Sequence, residues 1–463
     1  MKKCDVLIIG AGPGGLAAAE GAKKYGAGRV IVLERDSRPG GILNQCIHDG
    51  FGLVRYNSQL TGPEYAIRAV REALTEGAEI LTSRHVISIA KAKAEDAADP
   101  GFMATCISEE GLEEIYAKAI VMATGCRERT RGAISIPGSR PAGVFTAGVV
   151  QNFVNLRNIM PGNKVVILGS GDVGMIMARR LSLEGAQVKA VIEIMPQPAG
   201  LARNVSQCIY DYGIPLYCGH TVSKINGSKR LTSVEVSELD GKMRPVPGTE
   251  QVIECDTLVI SAGLIPENEV AKTIDIALDE KTNGVITDSF LQTSVPGIFS
   301  CGNSRKILDL ADFVSEQGEA AGSNAAAFAL GRELSVWQET PGSSMEKGYP
   351  QEGVVTCIFC PKGCSGPYQC SRGEEFARRE KTDPVRFLTT TVRVSGYEAK
   401  LLAVRSQRPV LKRDMKMIIG ALAEVSVDAP VNCGDEIARL TASDGEEIRI
   451  IASGSTEGLP LKV

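Results

Sequence analysis

The sequence predicts an α/β chain: two doubly wound parallel-sheet domains of similar construction, then a small α+β piece carrying a cysteine cluster. The apolar run Val6-Leu7-Ile8-Ile9 leads into Gly10-Ala11-Gly12-Pro13-Gly14-Gly15. The pattern returns as Val165-Val166-Ile167-Leu168 before Gly169-Ser170-Gly171-Asp172-Val173-Gly174. A second apolar run follows each copy and ends in an acid, Glu34 or Glu193, nineteen residues after the copy's last glycine. Four closely spaced cysteines beyond residue 350 mark the third piece.

Each glycine pattern reads as strand, tight turn, helix, strand. The first glycine permits the turn and the second lets backbone approach a pyrophosphate. The third lets helix pack on strand, and the acid accepts from a ribose hydroxyl. Leu16-Ala17-Ala18-Ala19 is small enough for close packing, and Gly26 and Gly185 stand where a left-handed residue ends each helix. A glycine pattern alone is weak. The strand before it, the helix after it and the acid at the right distance make it a dinucleotide site. Two such sites in one chain mean two nucleotides and suggest electron transfer between them.

Bulk properties bound the rest. A chain of 463 residues has room for about three domains. A net charge of −4 gives no footprint for nucleic acid. No apolar stretch reaches the roughly 20 residues of a transmembrane helix. Met1-Lys2-Lys3-Cys4-Asp5 runs straight into the first strand, which leaves no room for a cleavable leader. Nine scattered cysteines without an export signal read as reduced thiols, so a cytoplasmic location is expected.

The halves repeat beyond the glycines. Ala119-Ile120-Val121-Met122-Ala123-Thr124-Gly125 and Thr257-Leu258-Val259-Ile260-Ser261-Ala262-Gly263 are apolar strands ending in a small residue and glycine. With the late segment Gly297-Ile298-Phe299-Ser300-Cys301-Gly302-Asn303, then Ala311-Asp312 and Glu316-Gln317-Gly318-Glu319-Ala320-Ala321-Gly322, these motifs resemble the pyridine nucleotide–disulfide oxidoreductase superfamily over residues 1 to about 330. The resemblance implies two Rossmann-like domains, an NAD domain at 141–269 inserted into a discontinuous FAD domain at 1–140 and 270–330. It assigns FAD to Gly10, Gly12, Gly14, Gly15, Glu34, Arg35, Gly41, Thr124, Gly125, Gly302 and Asn303. It assigns NAD to Gly169, Gly171, Asp172, Val173, Gly174 and Glu193. Asn303 stands where the family places an Asp that bonds the ribityl chain, and an amide can still bond a hydroxyl. Glu193 accepts from the 2′-hydroxyl of NAD and repels a 2′-phosphate, so NAD is expected over NADP. Arg179 and Arg180 fall inside the helix and do not read as phosphate contacts.

The family's disulfide chemistry is not expected. Where its members carry a cysteine pair, this chain has Gly40-Gly41-Ile42-Leu43-Asn44-Gln45-Cys46-Ile47-His48, and Cys208 and Cys218 are ten apart. Cys46 and His48 are the candidate catalytic residues beside the isoalloxazine: a redox thiol modulated by histidine. The other reading, a packed cysteine and a hydrogen-bonded histidine, is the favoured one.

Residues 331–350 read as a linker and 351–463 as a C-terminal domain. Cys357, Cys360, Cys364 and Cys370 form C-x2-C-x3-C-x5-C, with Pro361 and Gly363 in the turn. Four thiolates so close suit a metal: an iron–sulfur cluster, favoured because it extends an electron path, or a structural zinc. The whole arrangement resembles flavoprotein partners of glycerol-3-phosphate dehydrogenase-type subunits. Its first 330 residues are similar to flavin subunits of hydrogen cyanide synthase, opine oxidase and dye-linked proline dehydrogenase. The expectation is an FAD-dependent NAD(P)H oxidoreductase that exchanges electrons between NAD(H), FAD and a partner subunit through the cysteine cluster. The alternatives are a direct flavin dehydrogenase of a small alcohol or amine, and a flavoprotein with a zinc-stabilised docking domain.

Overall fold

The computed structural model describes residues 2–93, 100–339 and 371–456. They form two compact units. One takes residues up to 127, then 265–339 and 453–456; the other takes 128–264 and 371–452.

In the first unit the strands Glu79–Leu81, Val30–Leu33, Lys2–Ile9 and Gly111–Met122 lie side by side and parallel. Gly111–Met122 is long enough to serve two partners. Its first part pairs antiparallel with Phe102–Ser108, which continues to His85–Lys91, and its end pairs parallel with Ile298–Ser300. Val30–Leu33 is buried at every position, as expected of a strand covered on both faces. The helices Pro13–Lys24 and Ala311–Ala329 cross at backbone distance. A Cβ on Gly318 would stand 2.1 Å from the Gly14 carbonyl oxygen, and one on Gly322 would stand 1.9 Å from that of Ala18. Arg55 reaches across this crossing to Glu20 on one helix and Glu319 on the other.

The second unit repeats the plan. Val144–Thr146, Thr257–Ile260, Lys164–Leu168, Gln187–Glu193 and Leu216–Cys218 form one parallel sheet. An antiparallel trio, His220–Gly227, Leu231–Glu238 and Gln251–Glu254, lies beside it.

The chain crosses between units at 127/128 and 264/265, where the sequence suggested 140/141 and 269/270. The reasons are local. Ile136 is buried with Val222, Ile225 and Val234 of the second unit, and Gly138 bridges to Ile225. Asn268 is fully buried in the first unit and donates to the carbonyls of Asn283 and Ser304.

The C-terminal piece is α+β: helix Ser371–Thr382, a five-stranded sheet with Leu401–Ser406 at its centre, and helix Met415–Leu422. It clusters with the second unit, not as a body of its own. Arg180 explains part of this. It is buried, and its guanidinium donates to Asn155, Thr390 and Thr391 and pairs with Glu184. Arg386 likewise pairs with Asp211 and Glu380. Residues 331–339 are no free linker. Ser335 exchanges hydrogen bonds with Asn324, the Trp337 backbone N–H donates to the Ser289 carbonyl, and Leu334 and Trp337 pack on the first unit's core.

Gly322→Ala tests the helix crossing. The methyl group would meet packed backbone, which cannot yield as a side chain can. The expected outcome is a thermal unfolding midpoint lower by about 5 °C or more, read by calorimetry.

Candidate dinucleotide sites

The turns after Lys2–Ile9 and after Lys164–Leu168 are closed by contact that only glycine allows. A Cβ on Gly15 would lie 1.8 Å from the Gly10 carbonyl oxygen, and one on Gly174 would lie 2.5 Å from that of Gly169. Gly10 and Gly169 have positive φ and sit against the Ala123 and Ser261 carbonyls of the neighbouring strand ends. The middle glycines differ from these. A Cβ on Gly12 would meet nothing within 4 Å, and one on Gly171 only the Ser261 hydroxyl at 3.9 Å. Gly14 faces Val314 and Cys301.

The acids are fixed the same way twice. Glu34 is buried and accepts from the N–H groups of Ala11 and Asp36, each at 2.9 Å. Glu193 is buried and accepts from the N–H groups of Ser170 at 2.9 Å and Met195 at 2.8 Å, and from the Ser170 hydroxyl at 2.5 Å. Burial pushes the Glu34 carboxyl above the usual glutamate range, against those two backbone donors. A glycine from the next loop completes each site. The Gly40 N–H donates to the Ala11 carbonyl at 2.8 Å, and the Gly200 N–H donates to the Ser170 carbonyl at 3.0 Å. Neither bond could be read from sequence. Gly41 follows so closely that its Cβ would stand 3.1 Å from the Gly12 Cα. Arg35 is exposed beside Glu34.

Other expected residues serve as braces. The Thr124 hydroxyl donates to the Glu267 carbonyl at 2.6 Å, and Gly125 accepts from the Glu267 N–H. Asn303 accepts from the Leu308 N–H at 3.0 Å and donates to the Cys126 sulfur at 3.5 Å; the Gly302 N–H donates to Gln317. Asp172 holds the loop over the second turn, accepting from the Leu201 N–H at 2.8 Å and the Asn204 amide at 2.7 Å. Val173 is partly exposed on the same helix.

Asp312 received no role from the sequence. It is buried in the first turn of Ala311–Ala329 and gathers the N–H groups of Gly52, Val54 and Arg55 at 2.8–3.1 Å. A first-turn acid is the signal that was available. The segment it holds begins near Cys46 and His48. Cys46 is buried, its carbonyl accepting from Gly62, while the His48 ring lies tilted against Phe51 with centroids 5.1 Å apart. Tyr65 closes the group by edge contacts with Phe51 and Tyr56 and a 2.8 Å bond to Ser315.

Residues 4–318 match the pyridine nucleotide-disulphide oxidoreductase family. The chain belongs to that family. It is an FAD-dependent oxidoreductase with FAD and NAD(P) sites, as its sequence motifs suggested. Residues 371–453 match a second family, described as a protein of unknown function (DUF1667). The chain is 24% identical to an opine oxidase subunit of Agrobacterium tumefaciens over 75% of its length and 69% of that protein. It is 27% identical to the alpha subunit of sarcosine oxidase from Corynebacterium sp. over 57% of its length, but spans only 26% of that relative. Among solved structures, thioredoxin reductase of T. acidophilum superposes with a TM-score of 0.58 at 24% identity, over 72% of this chain and 99% of that one. That match shows the two-domain fold.

None of the nine cysteines among the described residues is joined in a disulfide. Among those residues no group of three or more His, Cys, Asp or Glu side chains could hold a metal ion. Cys357, Cys360, Cys364 and Cys370 lie outside the described residues. No described helix is long and apolar enough to cross a membrane.

Burial pushes the thiols of Cys4 and Cys301 up to about 12 and raises that of Cys208. The thiolate is the nucleophile, so these three are expected to resist iodoacetamide at pH 8 in native protein and to react after unfolding, followed by peptide mass spectrometry. Rapid native labelling of any of them would contradict the packing.

Proposed function

We propose that this chain is the NADH-handling flavoprotein subunit of a larger cytoplasmic oxidoreductase. The observation that carries the reading is the repeated cradle: clear space over Gly12 and Gly171, a buried acid bonded to the turn, and a glycine from the next loop closing on it. Both cradles fit a pyrophosphate with an adjoining ribose. The helices Pro13–Lys24 and Asp172–Leu183 begin at these turns, and their N-terminal N–H groups would face the phosphates.

When bound, FAD supplies the two-electron chemistry that links a nicotinamide to a further acceptor. The chain's residues hold and orient. Gly10, Gly12, Gly41 and Glu34 hold the pyrophosphate and adenosine ribose of FAD. Gly169, Gly171 and Glu193 do the same for the pyridine nucleotide, while Thr124 and Asp312 fix loops around the first cradle.

Glu193 favours NAD over NADP. Its carboxylate repels a 2′-phosphate, and the next two residues, Ile194 and Met195, are apolar and half-exposed where a phosphate reader would carry positive charge. Cys46 and His48 fit best as packing residues, since Cys46 is seated against Gly62 and His48 against Phe51.

The partner is inferred from the relatives, both named as subunits. A dehydrogenase subunit of the glycerol-3-phosphate type fits this picture, with Cys357, Cys360, Cys364 and Cys370 binding an iron–sulfur cluster that carries electrons toward it.

Anaerobic titration of FAD-loaded protein with NADH is expected to bleach the flavin, and NADPH is expected to act more slowly. An unreduced flavin would remove the reading. Glu193→Gln deletes the charge but keeps one acceptor, so its preference for NADH over NADPH should fall about tenfold. Iron and acid-labile sulfide in anaerobically purified protein would establish the cluster; zinc in place of iron would make the cysteines structural.

A further inference from the structure

The chain leaves the C-terminal sheet at Ala452, and its next four residues belong to the first unit. Here Ser453, Gly454 and Thr456 are buried, and the Ser453 hydroxyl is enclosed with no hydrogen-bond partner among the described residues.

The tie is Arg38. Its guanidinium donates to the Ser455 carbonyl at 3.2 Å and to the Thr456 carbonyl at 2.9 Å, across more than 400 residues of sequence. These bonds carry the full charge of the donor, which makes them stronger than a neutral pair. Arg38 sits in the loop that runs from Glu34 to Gly41. Two residues further on, Gly40 donates to the Ala11 carbonyl, and Gly41 lies against Gly12. At its other end Glu34 grips Ala11 and Asp36. The opposite side of the loop is pinned by the Arg84 N–H to the Glu34 carbonyl and the Ser83 N–H to the Asp36 carbonyl. The strand pair therefore holds the start of the loop, the glycine turn holds its end, and the strap at 453–456 holds its middle.

We propose that residues 453–456 are a strap that keeps the Glu34–Gly41 loop closed on the adenosine end of FAD, with Arg38 as the positioning residue. This inference rests on the assignment of FAD to the first cradle. It ties retention of the cofactor to residues 453–456, although Gly10, Gly12, Gly41 and Glu34, which would hold the pyrophosphate and adenosine ribose, all lie in the first 41 residues. Arg38 touches no cofactor atom in this account. It acts through the loop by restricting how far Gly40 and Gly41 can lift from Ala11 and Gly12.

The test uses full-length FAD-loaded protein. The release of FAD is followed by the recovery of flavin fluorescence on dilution, for wild type, Arg38→Ala, Arg38→Lys and a chain ending at Ala452. Arg38→Ala and the shortened chain are expected to release FAD about tenfold faster. Arg38→Lys, which keeps the charge but loses the two-pronged geometry, should fall between them and wild type. Added FAD should raise the thermal midpoint of wild type more than that of Arg38→Ala. If the shortened chain does not fold, Arg38→Ala decides alone. Unchanged FAD release in Arg38→Ala overturns the strap, while wild-type protein that takes up no FAD overturns the cofactor assignment instead.

Discussion

Helix Ala311–Ala329 touches helix Pro13–Lys24 backbone to backbone, and the first unit is arranged around that contact. Gly318 and Gly322 bring the helices to a separation at which any side chain would strike a carbonyl. Close approach lets the short strand Ile298–Ser300, just before the second helix, pair with the end of Gly111–Met122. It also brings Asp312 within reach of Gly52, Val54 and Arg55, and Arg55 in turn clasps both helices through Glu20 and Glu319. A stretch nearly 300 residues from the first strand thus becomes part of the same cradle. Burying Arg55 and Glu20 is tolerable because each has more than one partner: Arg55 pairs with both acids, and Glu20 also pairs with Lys24.

The same economy appears in the two nucleotide turns. Each acid is a structural acceptor and, in the proposed function, also the group that meets a ribose: Glu34 fastens Ala11 and Asp36, and Glu193 fastens Ser170 and Met195. Their orientation is therefore set before any ribose arrives, which lowers the ordering cost of binding. The two units solve one problem with one geometry, down to the glycine of the following loop that donates to the turn. They differ in what surrounds the turn. Val314 and Cys301 face the first, and the Asp172-held loop around Leu201 and Asn204 lies over the second.

Polar contacts join the C-terminal piece to the rest of the second unit: Arg180 donates to the Thr390 and Thr391 hydroxyls, and Arg386 and Lys412 pair with Asp211. Arg180 and Arg386 each sit in low-dielectric surroundings with anionic or hydroxyl partners drawn from both sides. Such pairs specify position well even where their net contribution to stability is small. A guanidinium accepts few arrangements of its partners, so Thr390 and Thr391 are held in one register against the helix that carries Arg180.

The family resemblance implied the discontinuous first unit; the sequence by itself determined the two nucleotide units, their strand–turn–helix order and the acids. These are local signals: period, glycine spacing and an acid at a fixed distance, all set by backbone sterics within a few dozen residues. Arg180 shows where local signals stop. Its place inside a helix ruled out a phosphate contact, but nothing nearby announced Thr390 and Thr391 as its partners. The same holds for Asp312 with the loop at 52–55, Arg38 with Ser455 and Thr456, and the unit boundaries at 127/128 and 264/265. Each depends on which distant segments the packed core brings together, and a buried charge takes whatever partner the fold delivers. Tertiary structure therefore decided which braces hold the cradles and packed the described part, 331–339, of the linker expected at 331–350, because Leu334 and Trp337 had apolar surface to bury.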